Sequence, residues 1–221
     1  NLKVCLVEKN TVGSATSSWS TKLIHGGLRY LENYEFRLVR ESLKEREVIK
    51  KIASNITTPL PFIIPYQKSL RPKWLIKLGL FLYDNIGGKM TIPKSSTINI
   101  KKEIPNILKD QFKIGFQYYD LQVDDKKLVQ LNVEDAKKKG AMIIQNRKVM
   151  DAKRNKNIWD ITLDDNTILQ SKILINAAGP WINEVLNNVI KLNSNKSIRL
   201  VKGSHIITKS LYSQKKAFTL Q

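Results

Sequence analysis

Apolar residues in the first half of the chain recur at the spacing of amphipathic helices. Residues 34–52 place apolar side chains on one helical stripe, which predicts a helix whose stripe faces the core. The members of this stripe are Phe36, Val39, Leu43, Ile49 and Ile52. Residues 73–86 predict a second helix, which Gly87 and Gly88 would end. We expect an ordinary internal helix, although a bilayer could instead cover its apolar side chains, which are Trp74, Leu78, Phe81 and Leu82.

The remaining patterns predict strands around further helices. The chain opens in an apolar run at residues 2–8, and the spacing of prolines makes residues 62–65 extended. Residues 112–119 are expected to be extended, and Asp124 would cap a helix that closes at Gly140. Strand-like stretches follow at residues 142–150, 159–163, 168–175 and, after a helix that Pro180 opens, 197–208. These elements predict a mixed α/β fold in which a β-meander returns to a parallel sheet.

Length and composition are those of a globular protein. The chain has 221 residues and is 42% hydrophobic, which is enough to bury a core. Its single cysteine, Cys5, excludes an internal disulfide, and the apolar neighbours of Cys5 predict a buried side chain. No apolar run approaches the roughly 20 residues that cross a bilayer, so a soluble or peripheral protein is expected.

The chain carries a large excess of positive charge. Its 38 Lys and Arg residues against 19 Asp and Glu residues give a formal charge of +19, which suggests nucleic acid, an acidic membrane or phosphate as a partner. The lysines form short scattered clusters, however, and no stripe interleaved with aromatic residues. This pattern favours solvated lysines over a dedicated nucleic-acid surface.

Glu8 ends the first apolar run. In parallel α/β sheets an acid at the end of the second strand commonly accepts hydrogen bonds from an adenosine ribose. The matching glycine-rich turn would lie about twenty residues earlier, which places it before Asn1. A strand-terminal acid also fits a residue that merely faces solvent.

The two histidines of the chain, His25 and His205, each lie in a short polar motif beside glycine. Residues 15–31 bring together hydroxyls, backbone donors and a lysine, a combination that suits a diphosphate near a helix N-terminus. Gly26 and Gly27 allow the backbone to approach a flat ligand closely. Taken alone, the hydroxyls at residues 16–18 equally fit a helix cap.

As a whole, the string at residues 15–31 closely resembles the segment after the second Rossmann strand of FAD-dependent, quinone-linked glycerol-3-phosphate dehydrogenases. Further stretches resemble motifs of that family in the same order; they are residues 34–39, 70–72, 79–84, 123–125, 176–181 and 198–205. The resemblance implies a Rossmann-like FAD-binding domain interleaved with a β-rich substrate domain. It also implies that this chain is the front portion of that fold, truncated at both ends.

The resemblance implies FAD as the cofactor. Glu8 would hold the adenosine ribose, residues 16–23 would follow the diphosphate and ribityl chain, and His25 would lie near the isoalloxazine ring. Residues 177–179 would pass beside the cofactor, where small side chains permit contact. The complete set of implied FAD contacts is Glu8, Thr16, Ser17, Ser18, Ser20, Lys22, Leu23, His25, Gly26, Gly27, Val149, Ala177, Ala178 and Gly179.

The resemblance also implies a substrate site. Arg29 would bind the phosphate of glycerol 3-phosphate in a bidentate manner, and Tyr30 would face the same substrate. His205 would lie by the carbinol and accept the hydroxyl proton, a role that imidazole can fill near neutral pH. The product would be dihydroxyacetone phosphate. No metal is implied.

Partners and location follow from the same resemblance. Electrons would pass to membrane quinone, and the enzyme would be cytoplasmic and peripheral on the anionic inner face of the cytoplasmic membrane. A homodimer is an expected assembly, and nucleic acid is not an expected partner.

The expected domain division has four segments. Residues 1–50 would form part of the FAD-binding domain, 51–120 a substrate or cap region, 121–182 the return to the FAD-binding domain with its meander, and 183–221 the start of further substrate-domain strands. Three other interpretations stay open: an FAD-dependent amine or amino-acid oxidase of the same superfamily, a basic nucleic-acid-binding protein, and an inactive fragment.

Overall fold

The computed structural model describes residues 2–68, 71–192, 198–201 and 203–220. These residues form two compact units, which are treated separately below. The first unit comprises Asn1–Trp19 and Val129–Ile207, and the second comprises Ser20–Leu128 and Thr208–Gln221. Leu70, Ser197 and Lys202, which belong to predicted motifs or strands, lie outside the described residues. The four-segment domain division stays a prediction.

The helices and strands alternate along the described chain. The strands are β1 (Cys5–Glu8), β2 (Leu23–Ile24), β3 (Thr57–Pro65), β4 (Ser96–Asn99), β5 (Ile114–Val123), β6 (Met142–Gln145), β7 (Val149–Asn155), β8 (Ile158–Leu163), β9 (Ile168–Ser171) and β10 (Ala217–Phe218). The α-helices are α1 (Phe36–Ile52), α2 (Lys73–Asn85), α3 (Ile100–Glu103), α4 (Asp125–Lys138) and α5 (Ile182–Glu184). Short 3-10 helices form at Thr16–Ser18, Leu28–Asn33 and Gly179–Trp181, and a π-helical turn at Val185–Val189.

The first unit contains a parallel strand pair and an antiparallel meander. Strand β1 pairs in parallel with β6, so that Glu8 lies opposite Gln145 at the carboxyl end of both strands. Strands β7, β8 and β9 follow one another in an antiparallel sheet. Their buried side chains form a core with the π-helical turn; its members are Ala152, Ile161, Leu163 and Val189.

The second unit is built on one sheet with the order β10-β3-β5-β2, to which β4 adds by pairing with β5. Strand β3 tolerates Pro59 and Pro61 because its other neighbour, β10, pairs only with Phe62 and Ile63. Helices α1 and α2 contribute the buried side chains Val39, Leu43, Leu80 and Tyr83 to the core. They pack with Phe116 and Tyr118 of β5.

Three predicted helices are confirmed. Helices α1 and α2 occupy the predicted ranges to within two residues. The Asp124 carboxylate accepts a hydrogen bond from the Lys127 N–H at 2.9 Å, as a helix cap does, and Gly140 follows α4 with φ +90°. Within the described residues, no helix is long and apolar enough to pass through a bilayer.

The predicted core stripe of α1 is wrong in part. Val39 and Leu43 are fully buried, but Phe36 and Ile52 are exposed, and Arg46 occupies the next buried position. An arginine replaces an apolar residue there because its guanidinium pairs with a buried carboxylate of β5.

The prediction of an internal α2 is also wrong for one face of that helix. Leu80 and Tyr83 are buried, whereas Trp74, Leu78 and Phe81 are exposed, with 66%, 45% and 62% of their surface accessible. Helical geometry allows only one side of a surface helix to reach the core of its own unit.

Several strand predictions also change. Cys5 is exposed, not buried, because the described residues pair β1 on one side only. The predicted strand at 142–150 is interrupted between β6 and β7, and the strand at 168–175 ends at Ser171. Residues 173–175 stay irregular because no described strand lies alongside to complete a ladder. The described part of 197–208 forms no strand either.

Candidate active site and cofactor-binding residues

Glu8 lies where ligands bind in parallel sheets, at the carboxyl end of the β1 and β6 pair. One oxygen of its carboxylate, Oε1, accepts a hydrogen bond from the Asn10 N–H at 2.9 Å. Because a carboxylate has about four acceptor positions, Glu8 keeps the capacity to accept hydrogen bonds from a ribose.

The loop after β1 presents hydroxyl groups. The Val12 N–H donates to Gln145 Oε1 at 2.8 Å, which fixes the loop to the end of β6. The 3-10 helix that follows exposes Thr16 and Ser17, whereas Ser18 Oγ donates to the Gly13 carbonyl. Thr16 and Ser17 therefore have the donor chemistry that a diphosphate requires, and Ser18 stabilises the turn that presents them.

Residues 176–179 form a tight turn in the first unit. Asn176 Nδ2 donates to the Ile182 carbonyl at 2.9 Å, and its Oδ1 accepts from the Ala178 N–H. Gly179 has φ +54°, and a Cβ built on it would meet no described heavy atom within 4 Å. With Ala177 and Ala178 beside it, this turn leaves room for a ligand to approach the backbone.

Val149 begins β7 and is half-buried against the core of the first unit. Its predicted contact with FAD stays a prediction.

In the second unit, Ser20 and Lys22 form a cluster with Asp125, a residue for which the sequence analysis predicted no role. Lys22 Nζ donates to Asp125 Oδ1 at 2.7 Å, and Ser20 Oγ donates to Oδ2 at 2.8 Å. Burial opposes ionisation of Asp125, but these hydrogen bonds and one from the Lys126 N–H outweigh it and lower the pKa of Asp125. The predicted contacts of Ser20 and Lys22 with FAD stay predictions.

Leu23 opens β2 and pairs with Gln122 of β5, so the next residues leave the edge of the sheet. His25 is exposed, whereas Gly26 and Gly27 are buried. A Cβ on Gly26 would lie 2.3 Å from Leu43 Cδ2, and Gly27 has φ +73°. Packing against Leu43 accounts for glycine at position 26, and the positive φ accounts for glycine at position 27. Their predicted contact with FAD stays a prediction.

A buried polar chain ends on this glycine pair. The Gly26 N–H donates to the Tyr83 hydroxyl at 2.7 Å, and the Tyr83 hydroxyl donates to Asp120 Oδ1 at 2.7 Å. Arg46 Nη1 donates to the same carboxylate oxygen at 2.7 Å and to the Tyr119 carbonyl at 3.0 Å. Tyr83, Asp120 and Arg46 are only 2%, 4% and 3% exposed.

Burial dominates the electrostatics of this polar chain. Desolvation raises the pKa of Asp120, although the Tyr83 hydrogen bond and the charge of Arg46 oppose the rise. Desolvation and the nearby Asp120 charge raise the pKa of Tyr83 far above its ordinary value, so its phenol keeps its proton.

Sequence reasoning missed these three residues, although two of them carry a signal. Asp120 falls in alternation with the aromatic residues Phe116 and Tyr118 of β5, and Arg46 lies seven residues after Val39. A charged residue in register with buried positions indicates a partner in the core.

Arg29 and Tyr30 lie on the 3-10 helix Leu28–Asn33, and both are exposed. Among the described residues, Arg29 forms no salt bridge with a carboxylate. Its charge reaches Tyr118, whose pKa is raised by burial and is lowered in part by Arg29. Arg29 thus has the free guanidinium that a phosphate ligand requires.

His205 is exposed on an irregular segment of the first unit. Arg29 belongs to the second unit, so a common cleft for the two residues stays a prediction.

The sequence matches the family described as FAD dependent oxidoreductase over residues 1–220. This chain belongs to that family. Membership confirms FAD as the predicted cofactor class, and the mixed α/β fold class is confirmed by the observed helices and sheets.

The chain is similar to two curated relatives and to one solved structure. The chain is 44% identical to D-erythritol 1-phosphate dehydrogenase of Brucella abortus and 43% identical to glycerol-3-phosphate dehydrogenase of Pseudomonas aeruginosa, in each case over 100% of the chain. It spans 45% and 43% of those relatives, that is, less than half of their length.

The FAD complex of glycerol-3-phosphate dehydrogenase from Bacillus halodurans superimposes with a TM-score of 0.59. The superposition covers 85% of this chain and 32% of that chain, at 24% identity. This likeness establishes the fold.

The residues present fit FAD chemically. The first unit offers a carboxylate for a ribose at Glu8, exposed hydroxyls for a diphosphate at Thr16 and Ser17, and an open glycine turn at Gly179.

Proposed function

We propose that the protein oxidises the C2 hydroxyl of glycerol 3-phosphate to give dihydroxyacetone phosphate, as an FAD-dependent dehydrogenase. The observation that carries the proposal is the match of the entire chain to a glycerol-3-phosphate dehydrogenase at 43% identity. The names of both curated relatives specify a phosphorylated polyol, which supports this function over amine or amino-acid oxidation. Family membership also supports a flavoenzyme over a nucleic-acid-binding protein.

Three predicted residues would divide the handling of the substrate among them. Arg29 would bind the substrate phosphate through paired N–H groups, and Tyr30 on the same 3-10 helix would orient the polyol. His205 would accept the hydroxyl proton as C2 is oxidised. FAD, when bound, supplies the hydride acceptor.

The experiment that tests the function is an anaerobic spectrum of the full-length protein. We expect flavin absorption bands that bleach when glycerol 3-phosphate is added. D-erythritol 1-phosphate is the matched comparison, because a relative of equal similarity is named for it. The proposal would be contradicted if an amino acid bleached the flavin bands while glycerol 3-phosphate and D-erythritol 1-phosphate did not. A protein that binds no flavin would also contradict it.

The His205→Asn variant tests the proposed base. Asparagine keeps a polar side chain but cannot accept the proton, so kcat should fall by about 10²- to 10⁴-fold. Steady-state kinetics of the full-length enzyme measures this fall, and KM should change much less. An unchanged kcat would remove His205 from the role.

We further propose that electrons pass to quinone and that the protein is peripheral on the anionic, cytoplasmic face of the membrane. Helix α2 supports this location because Trp74, Leu78 and Phe81 are exposed on it. Lys73 and Lys77 are exposed on the same helix, and the chain carries a charge of +19. Apolar and basic side chains together are the features of a helix that lies in a membrane interface.

Lipid vesicles test this location. Replacing both Trp74 and Phe81 by Ser should weaken binding of the full-length protein to phosphatidylglycerol vesicles by at least about 10-fold, because two large apolar side chains no longer enter the lipid. Ile52→Ser is the matched control, since Ile52 is exposed on a different helix. Equal binding by all three proteins in a flotation assay would contradict the proposal.

The homodimer implied by the resemblance also stays a proposal. Light scattering of the full-length protein at micromolar concentration checks it, and the mass of a single chain would contradict it.

A further inference from the structure

The chain of hydrogen bonds from Arg46 through Asp120 and Tyr83 to Gly26 takes no part in the proposed reaction. It ends, however, on the segment predicted to lie beside the isoalloxazine ring. We infer that Tyr83, held by Asp120 and Arg46, is a positioning residue that fixes residues 25–27 and thereby sets the binding and redox environment of the flavin ring. This inference rests on the proposed function, because it assumes FAD next to that segment.

The direction of each hydrogen bond supports the inference. A phenol has a single proton to donate, and Tyr83 donates it to Asp120 Oδ1 at 2.7 Å. The Tyr83 oxygen can therefore only accept, and it accepts from the Gly26 N–H at 2.7 Å. Burial and the Asp120 charge raise the pKa of Tyr83 far above its ordinary value, so the phenol keeps the proton that it donates to Asp120.

Packing removes the freedom of the segment to move toward the core. The position of a Cβ on Gly26 would lie 2.3 Å from Leu43 Cδ2 and 2.8 Å from the Tyr83 hydroxyl. Leu43 is fully buried on α1, and Tyr83 is 2% exposed on α2. Two helices thus hold the backbone of Gly26 from the inside, while His25 remains exposed.

Stability alone does not account for the buried charges. Arg46 Nε has no hydrogen-bond partner among the described residues, and the nearest second carboxylate oxygen, Glu47 Oε1, is 3.8 Å from Arg46 Nη2. Buried ion pairs can often be replaced by apolar residues of similar volume without loss of stability. The Arg46–Asp120 pair leaves one guanidinium N–H unsatisfied in the described part of the chain, so we infer that it serves to orient the Asp120 carboxylate, which accepts the hydrogen bond of the Tyr83 hydroxyl.

The test removes one hydroxyl from the full-length, FAD-loaded protein. Tyr83→Phe keeps the ring, but Gly26 loses its acceptor. We expect amide hydrogen exchange within residues 24–31 to become at least about tenfold faster and the dissociation constant of FAD to rise about tenfold, the effect of one buried hydrogen bond. The flavin midpoint potential should shift as well.

Tyr118→Phe is the matched control. Tyr118 is 7% exposed and meets the Tyr83 ring edge-on with centroids 6.1 Å apart, but its hydroxyl lies 3.2 Å from Thr219 Oγ1 instead of bonding Asp120 or Gly26. It should leave the exchange rate, FAD affinity and potential close to those of the unmodified protein. If the Tyr83 hydroxyl had only a structural role, Tyr83→Phe and Tyr118→Phe would give the same exchange rate, FAD affinity and potential.

Two outcomes separate this inference from the proposed function. If the unmodified protein binds FAD and bleaches with glycerol 3-phosphate, but Tyr83→Phe matches it in exchange, affinity and potential, the inference is overturned and the function stands. If the unmodified protein binds no flavin, both are overturned. Should Tyr83→Phe fail to fold, Asp120→Glu provides the same readouts, because it keeps the charge that pairs with Arg46 but displaces the acceptor of the Tyr83 hydroxyl.

Discussion

The Asp120→Ala variant is expected to lose about 3–5 kcal/mol of unfolding free energy, because the buried guanidinium of Arg46 loses its hydrogen-bonded carboxylate and keeps only the longer ion pair with Glu47 at 3.8 Å among the described residues. Arg46 is 3% exposed, and its shortest hydrogen bond is to Asp120 Oδ1 at 2.7 Å. The variant also removes the acceptor of the Tyr83 hydroxyl. Urea unfolding, followed by tryptophan fluorescence, measures the loss.

Two further variants distinguish an unpaired charge from a lost contact. The double variant Arg46→Met, Asp120→Leu removes both charges and should recover part of the stability. The Tyr83 hydroxyl still lacks its acceptor in this variant, and Glu47 Oε1 loses the nearby guanidinium. Asp135→Ala breaks an ion pair with Lys139 of similar length, 2.7 Å, but on an exposed face, so it should cost less than about 1 kcal/mol. Equal losses for Asp120→Ala and Asp135→Ala would show that burial of the pair has no energetic consequence.

The Arg29→Ala variant is expected to raise KM for glycerol 3-phosphate by about 100-fold, since charge-assisted hydrogen bonds to a phosphate are each worth roughly 1.5–3 kcal/mol. Arg29 is exposed and forms no salt bridge with a described carboxylate, so its replacement should leave folding intact. Arg29→Lys should give an intermediate KM, because an ammonium keeps the charge but loses the bidentate geometry. Steady-state kinetics of the full-length enzyme measures both.

Arg37→Ala is the control for net charge. Arg37 is exposed on α1, and the carboxylate with which it pairs in the described part of the chain is that of Glu41, one helical turn away at 2.8 Å. Its loss lowers the charge of the chain by the same amount but should leave KM unchanged. If Arg37→Ala raises KM as much as Arg29→Ala, general electrostatic attraction and not a phosphate contact would explain the effect.

Local sequence signals were sufficient for the long helices of this protein. The ranges of α1 and α2 follow from apolar spacing at 3.6 residues per turn, and the start of α4 follows from the Asp124 cap. The FAD-dependent family followed from the string at residues 15–31, which the match over residues 1–220 confirms.

The sequence predicted less accurately which side chains are buried. Cys5 lies in an apolar run yet is exposed, and Ile173 and Ile175 are exposed where a strand was predicted. A strand is stabilised by the strands beside it, and residues that are distant in sequence provide those neighbours. Neither the spacing of apolar residues nor β-propensity specifies which strands lie beside a given segment.

The amino-acid sequence by itself determined the family and the cofactor class, because these depend on chemical groups in a fixed local order. Which residues contact a ligand stays a prediction. Only the tertiary structure decided that Lys22 and Ser20 bind Asp125 and that Tyr83 holds Gly26. These partners are separated by 103, 105 and 57 positions along the chain. Hydrogen bonds of that span form only after helices and strands have packed, so the folded core, and not the local pattern, selects them.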